Sequence, residues 1–302
     1  MGVTQDIVKN KQNRLRVLRC GRSLLHGYKP VFITGFLTGF LTTSLLCAGL
    51  LATTTTVNAE TITAKLAIVI DDVGYSKARG LDAINLPGQV TLAVLPFAPH
   101  TQNLIKIATA KNREMIIHQP MEPHASAHAR IEKDTLTLAM APLAFSSTLD
   151  RALAAVPQRL GLSNHTGSLL TAHYPPMLQL MRRLKQRDLF FLDSRTTTQT
   201  VAMRAADEVG VIALQRDVFL DNVRTTEAIH LSFEKAVRTA RRQGSAILIG
   251  HPYPVTLDYL QSRLRNLPAD VQLVRLSELA RQRRAMLAQA QHPASPHISL
   301  GQ

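Results

Sequence analysis

The stretch Leu66-Ala67-Ile68-Val69-Ile70-Asp71-Asp72 decides the fold of this chain. Its five apolar residues, rich in β-branched types, predict a fully buried strand, and two carboxylates follow where we expect that strand to end. Catalytic and ligand-binding groups collect at the carboxyl ends of strands in α/β sheets and barrels. Because adjacent buried carboxylates need a cation nearby, Asp71-Asp72 favours a metal site, with one acid as ligand and the other free to move a proton. The alternative is an Asx-type turn in which Asp72 caps the next helix.

Short apolar runs recur after this stretch and alternate with amphipathic helical stretches. We predict strands at 65–70, 90–95, 114–118, 159–163, 189–192, 210–214, 245–250 and 271–275. We predict helices between them at 99–111, 142–155, 175–187, 200–208, 226–243 and 255–265. This alternation is typical of βαβ units and a parallel sheet. Seven or eight units in roughly 220 residues favour a complete or distorted barrel over an open doubly wound sheet.

The first sixty residues differ in composition from the rest of the chain. Residues 1–30 contain seven Lys and Arg against a single acid, and residues 31–59 contain no charged residue. Val31 to Ala52 is apolar enough to span a bilayer as a helix of about 20 residues, and the basic flank places the N-terminus in the cytoplasm. The small residues before Glu60 suit a signal peptidase, so 31–59 is either a signal sequence or a single membrane anchor. Both alternatives predict an exported domain, either soluble in the periplasm after cleavage near Ala59 or anchored to the inner membrane.

Charge and cysteine content narrow the function classes. The net charge is +14, and beyond residue 60 the positive charge is scattered over predicted helix faces. Scattered charge without a recognition motif argues against nucleic acid as a partner, while anionic envelope polymers remain candidates. Cys20 and Cys47 both precede the cleavage position, so the exported domain has neither a disulfide nor a cysteine metal site. We expect a barrel over 60–280 and a basic, disordered tail over 281–302.

Acids and histidines follow several apolar runs at equivalent positions. These residues are His118, His165, Asp193, Asp221 and His251. A single histidine after a strand is more often an ordinary loop residue than a ligand. Five such coincidences favour a shared site, because in a parallel barrel all these strand ends lie on one face.

Five ordered motifs cover nearly the whole exported domain, from about Lys65 to about Leu279. They are IVIDDVGY (68–75), IIHQPMEP (116–123), NHTGS (164–168), FFLDSRT (190–196) and IGHPYP (249–254). With these motifs the chain resembles the divergent polysaccharide deacetylase family, a branch of the polysaccharide deacetylase superfamily. The resemblance implies a distorted (β/α)7 barrel, and the apolar segment Val31 to Ala52 predicts one hydrophobic helix before it. It also implies a divalent metal, usually Zn²⁺, and hydrolysis of an N-acetyl or O-acetyl group on a carbohydrate or peptidoglycan-like substrate.

The resemblance also implies which residues hold the metal. Asp72 resembles the carboxylate ligand, and His118 lies where a ligating histidine is expected. Ordinary members carry a second histidine four residues later, but Glu122 stands there in this chain. His165 of the NHTGS motif resembles the replacement third ligand. A carboxylate and two imidazoles would leave an open position on zinc for a water molecule.

Catalytic roles follow from the same resemblance. Asp71 resembles the general base that takes a proton from the attacking water. His251 resembles the late histidine that assists the leaving group as general acid. Asp193 lies where a carboxylate that orients a histidine would be expected.

A second hypothesis is a barrel that has lost catalysis and serves as a carbohydrate-binding or scaffolding module in the envelope. Asp71 and His251 favour the enzyme, since a pure binder needs neither a base nor an acid. The break at Glu122 and the scarcity of aromatic residues, with no Trp, favour the binder. Tyr75 and Tyr253 lie close to the motifs and are candidates for lining a groove. Tyr174 is a further candidate, although ordinary packing suits it slightly better.

Overall fold

A computed structural model of the chain describes residues 63–125, 131–132 and 134–291. The basic segment 1–30, the expected signal sequence or anchor at 31–59 and the end of the tail lie outside the described residues. Within the described part of the chain, no helix is long and apolar enough to cross a membrane. The last helix continues to Gln291, so the first part of the expected tail is helical.

Strands and helices alternate along the described residues, as the apolar runs predict. The strands are β1 (Ala64–Val73), β2 (Val90–Val94), β3 (Met115–Met121), β4 (Gly161–Thr166), β5 (Phe190–Asp193), β6 (Ala213–Gln215), β7 (Val218–Phe219), β8 (Ser245–Gly250) and β9 (Val271–Val274). The helices are α1 (Lys77–Ile84), α2 (Thr101–Ala110), α3 (Pro142–Ala155), α4 (Tyr174–Lys185), α5 (Ala202–Val209), α6 (Thr226–Gln243), α7 (Pro254–Arg263) and α8 (Leu276–Gln291), with a 3₁₀ turn at Leu170–Ala172. The strand pairs are parallel, as expected for βαβ units.

The sheet curls into a distorted barrel. Its strands are hydrogen-bonded in the order β6-β5-β4-β3-β2-β1-β8-β7, and β9 pairs with β1 beside this path. β6 pairs with β5, and β7 pairs with β8, yet only Arg216 and Asp217 separate β6 from β7 along the chain. The two short strands are therefore halves of one interrupted strand. Counted together they give seven barrel positions, and the predicted distorted (β/α)7 architecture is confirmed.

β1 lies at the centre of the sheet and pairs along its whole length. Lys65–Ile70 pairs with β8. On the opposite edge, Ala64–Ala67 pairs with β9 and Ile68–Val73 pairs with β2. Neighbours on both edges and packing on both faces leave the run Leu66–Ile70 fully buried, as a continuous apolar run in a parallel sheet predicts.

Alternate residues of β1 pack into two separate cores. Leu66, Ile68 and Ile70 belong to the large core between the sheet and the surrounding helices. Ala67 and Val69 belong to a smaller cluster formed by inward-facing strand residues together with the start of α8. The side chain of Glu114, just before β3, accepts the backbone N–H of Ser277 at 3.1 Å. The start of α8 therefore closes the amino-terminal end of the barrel.

The acidic dipeptide lies inside β1 rather than after it. The pairing of β1 with β2 shifts register between Ile70 and Val73, and Asp72 has a φ of 57°. A positive φ is uncommon for a residue other than glycine, and a bulge of this kind redirects side chains at a strand end. The irregularity therefore allows both carboxylates to lie near the carboxyl-terminal mouth of the barrel.

Candidate metal centre

Three side chains with metal-ligating groups converge at this mouth: Asp72 from β1, His118 from β3 and His165 from β4. Oδ1 of Asp72 lies 2.8 Å from Nδ1 of His165 and 3.3 Å from Nε2 of His118. One ligand atom from each residue lies within 4.8 Å of the others. The structure thus brings together the three residues that the sequence assigns to a metal, although they span 94 positions of the chain.

The donor atoms fit a cation. Oδ1 of Asp72 is buried, and neither nearby imidazole nitrogen makes a hydrogen bond of acceptable geometry with it. Nδ1 of His118 lies 2.8 Å from the Ser163 hydroxyl, which donates its own proton to the carbonyl of Ile117. This network assigns the ring proton to Nδ1 and leaves the Nε2 lone pair facing Asp72. A carboxylate and two neutral imidazoles form a donor set that suits catalytic Zn²⁺ with an open position.

The ligand groups also stabilise one another's charged forms. Burial raises the pKa of the Asp72 carboxyl, but His118 and His165 outweigh burial and hold that pKa far below its usual range. Burial lowers the pKa of His165, while the nearby carboxylates of Asp72 and Glu132 outweigh burial and raise it to about 10. A proton therefore competes with a metal ion for His165, so metal affinity falls as the pH falls.

Asp71 lies beside the ligand set and deeper in the barrel. It is 2% exposed, and its Oδ2 lies 3.5 Å from Nε2 of His118. Its Oδ1 is buried and accepts no hydrogen bond from the described residues. Burial raises the pKa of Asp71 and outweighs the lowering by His118 and His251. A carboxyl with a free acceptor oxygen and a raised pKa is suited to take a proton from water.

His251, directly after β8, also lies beside the centre. Its Nδ1 lies 2.9 Å from Oδ1 of Asp221, and its Nε2 lies 3.9 Å from Oδ2 of Asp72. Asp221 also accepts the backbone N–H of His251 at 2.7 Å and the hydroxyl of Thr256 at 2.9 Å. Burial lowers the pKa of His251, but Asp221 and the charge of Asp72 raise it by more. The imidazole is thereby oriented with Nε2 toward the centre, and its protonated form is favoured.

The expectation that Asp193 orients a histidine is wrong. Its carboxylate accepts the backbone N–H of Arg195 and the hydroxyl of Thr200, each at 2.8 Å, and so fastens the loop after β5. Asp221 takes the orienting position instead. The reason is sheet order, because Asp221 follows β7, the direct neighbour of β8, whereas the interrupted strand separates β5 from β8.

Glu122, which breaks the usual paired-histidine motif, serves the fold. Its carboxylate accepts the backbone N–H of Leu138 at 2.7 Å, and its own N–H donates to the carbonyl of Leu136. These bonds fasten the segment after residue 134 to the end of β3. His165, on the neighbouring strand β4, supplies the imidazole beside Asp72.

Sequence reasoning assigned no role to Ser163, Asp221 or Glu132. Ser163 was detectable in principle, because it pairs in register with His118 across β3 and β4. Asp221 follows an apolar triplet, a signal that places it at a strand end without naming its partner. Glu132 lies 3.6 Å from Nε2 of His165 and accepts a hydrogen bond from the Tyr75 hydroxyl, yet no motif or strand marks its position.

Comparison with known proteins agrees with these features. A family model described as divergent polysaccharide deacetylase matches residues 68–280. An uncharacterized protein of Haemophilus influenzae is 39% identical over 236 residues, 78% of this chain and 81% of that protein. The uncharacterized protein YibQ of Escherichia coli K12 is 40% identical over 215 residues, 71% of this chain and 67% of YibQ. A crystal structure of an uncharacterized Agrobacterium tumefaciens protein, 25% identical, superimposes with a TM-score of 0.69 over 72% of this chain and 89% of that one.

Proposed function

We propose that this chain, which belongs to the divergent polysaccharide deacetylase family, is a metal-dependent hydrolase that removes acetyl groups from a carbohydrate of the cell envelope. The observation that carries the proposal is the convergence of Asp72, His118 and His165, whose ligand atoms lie within 4.8 Å of one another. Asp71 lies 3.5 Å from His118, and His251 lies 3.9 Å from Asp72. A module that only binds sugar needs neither of these two groups.

Each of these residues has a separate role in the proposed hydrolysis of the acetyl group. A divalent cation such as Zn²⁺ in this site supplies polarisation of the acetyl carbonyl and activation of water. Asp71 accepts a proton from the attacking water through its free carboxylate oxygen. His251 donates a proton from Nε2 to the departing amine or hydroxyl as the bond to the acetyl carbon breaks, and acetate is released.

The environments of the acid and the base suit these assignments. Burial raises the pKa of Asp71, which makes its carboxylate a stronger proton acceptor. Asp221 raises the pKa of His251 against the effect of burial, which keeps a proton available for the leaving group. Opposite proton-transfer roles for two neighbouring titratable groups, set by their surroundings, are a general pattern in hydrolases.

Metal analysis combined with acetate release from a panel of acetylated sugars tests the proposal on the full chain. We expect bound metal and acetate release for the wild type. Asp71→Asn should retain metal and lose at least about a hundredfold in rate, because a general base contributes about 10²–10⁴-fold. Asp72→Ala should lose both metal and activity. Asp207→Asn on the exposed side of α5 is the matched control and should change neither.

Two results would contradict the proposed deacetylase activity. Bound metal without acetate from any substrate, together with no effect of Asp71→Asn, would leave the alternative of a binding or scaffolding module. If the wild-type protein binds no metal and cannot be distinguished from Asp72→Ala, both the metal-dependent hydrolase and a metal-containing binding module are excluded.

The location of the barrel outside the cytoplasm is also part of the proposal. It is supported by the composition of residues 1–59, with a basic stretch followed by an uncharged one. Cell fractionation and the mass of the mature N-terminus test it. Recovery of the full-length chain in the cytosol would contradict export, and a new N-terminus at Glu60 would show cleavage rather than anchoring.

A further inference from the structure

The amino-terminal end of the barrel, opposite the metal centre, carries a cluster of basic side chains. In a parallel barrel the segments that lead into the strands lie at this end. α8 crosses it, because Ser277 at its start donates to Glu114 just before β3, and Arg284 farther along donates to Asp188 just before β5. We call the surface formed by these segments and α8 the basal face. Its basic residues include Arg113, Arg159, Lys185, Arg275, Arg281 and Arg283.

Acidic residues do not balance the charge of the basal face. Among the described residues, none of these six basic side chains forms an ion pair with a carboxylate. Three acids near the face each pair with a different basic residue, in the pairs Asp188–Arg284, Asp270–Arg241 and Glu278–Lys65. Asp207 lines the same cleft as Lys185 and offsets one charge at most, and Glu114 is buried under the start of α8. The basal face therefore has a net positive charge.

Two pairs of arginines on the basal face lie close together. Arg275 donates to the carbonyl of Asn112, the residue before Arg113, at 3.1 Å. Burial and the charge of Arg275 lower the pKa of Arg113, and burial and the charge of Arg187 lower the pKa of Arg159. Like charges of this kind repel one another, and an anion that lies against them relieves the repulsion. The face therefore favours an anionic partner.

Exposed apolar side chains lie among these cations. Met286 and Leu287 on α8 are 66% and 39% exposed, and Leu160, just before β4, is 45% exposed. A soluble acidic polymer offers them no apolar contact, whereas the boundary between lipid headgroups and acyl chains accepts both apolar and basic side chains. The mixture of the two types favours a membrane surface over a soluble polyanion.

The chain enters the barrel on the same face. β1 begins at Ala64, which donates its N–H to the carbonyl of Asp270 at 2.9 Å. The uncharged run 31–59 ends five residues before Ala64 along the chain, and five residues reach at most about 18 Å. If that run stays in a bilayer as the expected anchor, the point where the chain enters the basal face lies within this distance of the membrane surface.

We propose that the basal face binds the surface of a bilayer that contains anionic phospholipid, with the exposed part of α8 against the headgroups. Each Lys or Arg near such a surface contributes about a fivefold preference for the bound state. The mouth of the barrel lies at the opposite end, so the candidate metal centre faces away from the membrane. This proposal does not depend on the deacetylase activity.

Hydrogen–deuterium exchange of the full chain reconstituted with vesicles tests the proposal, because it measures contact at α8 whether or not the N-terminal segment inserts. One vesicle contains phosphatidylglycerol and phosphatidylcholine in equal parts, and the other contains phosphatidylcholine alone. We expect the amides of α8 beyond Arg281 to exchange at least about fivefold more slowly on the anionic vesicles. The loop at residues 194–200, after β5 at the mouth, should exchange equally on both. The difference at α8 should disappear in about 1 M NaCl, where the Debye length is about 3 Å.

Paired substitutions locate the contact on the basal face. Arg281→Gln with Arg284→Gln should reduce the difference between the two vesicles at least about threefold, whereas Arg281→Lys with Arg284→Lys keeps the charge and should preserve it. Lys77→Gln with Arg79→Gln on α1 is the matched control and should also preserve it. Lys77 is exposed, and Arg79 forms an ion pair with Asp82 as Arg284 does with its own acid, but α1 begins at the mouth. Because each variant is compared on both vesicles, a change in the stability of α8 cancels.

Four results would overturn the proposal. The first is equal exchange of α8 on the two vesicles in the wild type. The second is a difference that survives the two glutamine substitutions on α8, and the third is its loss in the α1 control, which would point to overall charge rather than to the basal face. The fourth is the same slowing of α8 by soluble polyglutamate, which would identify an acidic polymer rather than a membrane as the partner.

Discussion

Replacement of Asp221 by Asn tests whether His251 acts as the general acid. The Asp221 side chain is fully buried and accepts three hydrogen bonds, two from His251 and one from Thr256. Asn keeps the volume and one acceptor oxygen but removes the negative charge. The substitution therefore leaves the imidazole of His251 buried beside a neutral partner, while the metal ligands keep their neighbours.

The expected effect follows from the ion pair between Asp221 and His251. Unit charges about 4 Å apart attract by about 4 kcal/mol at an effective dielectric constant near 20, and this attraction favours the protonated form of His251. Asp71 and Asp72 remain nearby and also raise the pKa of His251, so removal of the Asp221 charge lowers that pKa without reversing all of the raise. The sign is downward because burial, which lowers this pKa, is no longer outweighed by Asp221.

A general acid works only while it is protonated, so the change appears on the basic limb of the pH profile. We expect that limb of kcat/KM for acetate release to move toward lower pH in Asp221→Asn. At neutral pH the smaller protonated fraction and the looser ring should lower kcat/KM by about 10²–10³-fold. The metal content should match that of the wild type.

Asp217→Asn is the control for this experiment. Asp217 accepts the backbone N–H of Ile247 on β8, the strand that His251 follows, and it pairs with no histidine among the described residues. The Asp217→Asn variant should leave the basic limb of the kcat/KM profile at the same pH as in the wild type. An unshifted limb in Asp221→Asn, with a loss of activity below about threefold, would refute the role assigned to the Asp221–His251 pair.

Three further substitutions test other parts of the structure. Ser163→Ala removes the partner of His118 Nδ1 and should weaken metal binding by about 10–100-fold in competition with a chromophoric chelator, and unchanged affinity would contradict the tautomer assignment. Glu122→Ala should keep the metal but lower the free energy of unfolding in urea by about 1–2 kcal/mol, whereas metal loss would identify Glu122 as a ligand. Gly161→Ala places a Cβ 2.5 Å from the ring of Phe190 and should cost about 1–3 kcal/mol in the same titration, with wild-type stability as the contradicting result.

The sequence predicted the longer elements well because one periodic signal dominates each of them. The run in β1 and the 18-residue helix α6 are examples, and α6 has the predicted bounds of 226–243. The helix α1 was missed because it is short and polar and contains Gly80. A Cβ at Gly80 would lie 2.4 Å from Leu104, so the glycine is needed for the approach of α2. That requirement depends on tertiary packing and leaves no periodic signal.

The sequence predicted which residues lie at strand ends, but it did not predict which of these residues contact one another. Asp72, His118 and His165 follow or end strong apolar runs, and parallel strands bring such ends to one face. The choice between Asp193 and Asp221 needed the sheet order, which depends on how residues 213–219 divide between two neighbouring strands. Glu132 was not predictable, because its approach to His165 depends on the path of an irregular segment.

The pairing of β1 has a consequence for the order in which the barrel completes itself during synthesis. Ala64, near the start of the domain, pairs with Val271, near its end. During synthesis β1 therefore leaves the ribosome long before β9, its pairing partner, is available. Contacts of such long sequence separation slow folding and leave intermediates exposed to aggregation. A nascent chain that stops before β9 displays the apolar residues of β1 with an unpaired edge, which is a template for self-association. Cellular quality control is therefore expected to act on this chain mainly in the interval before β9 emerges.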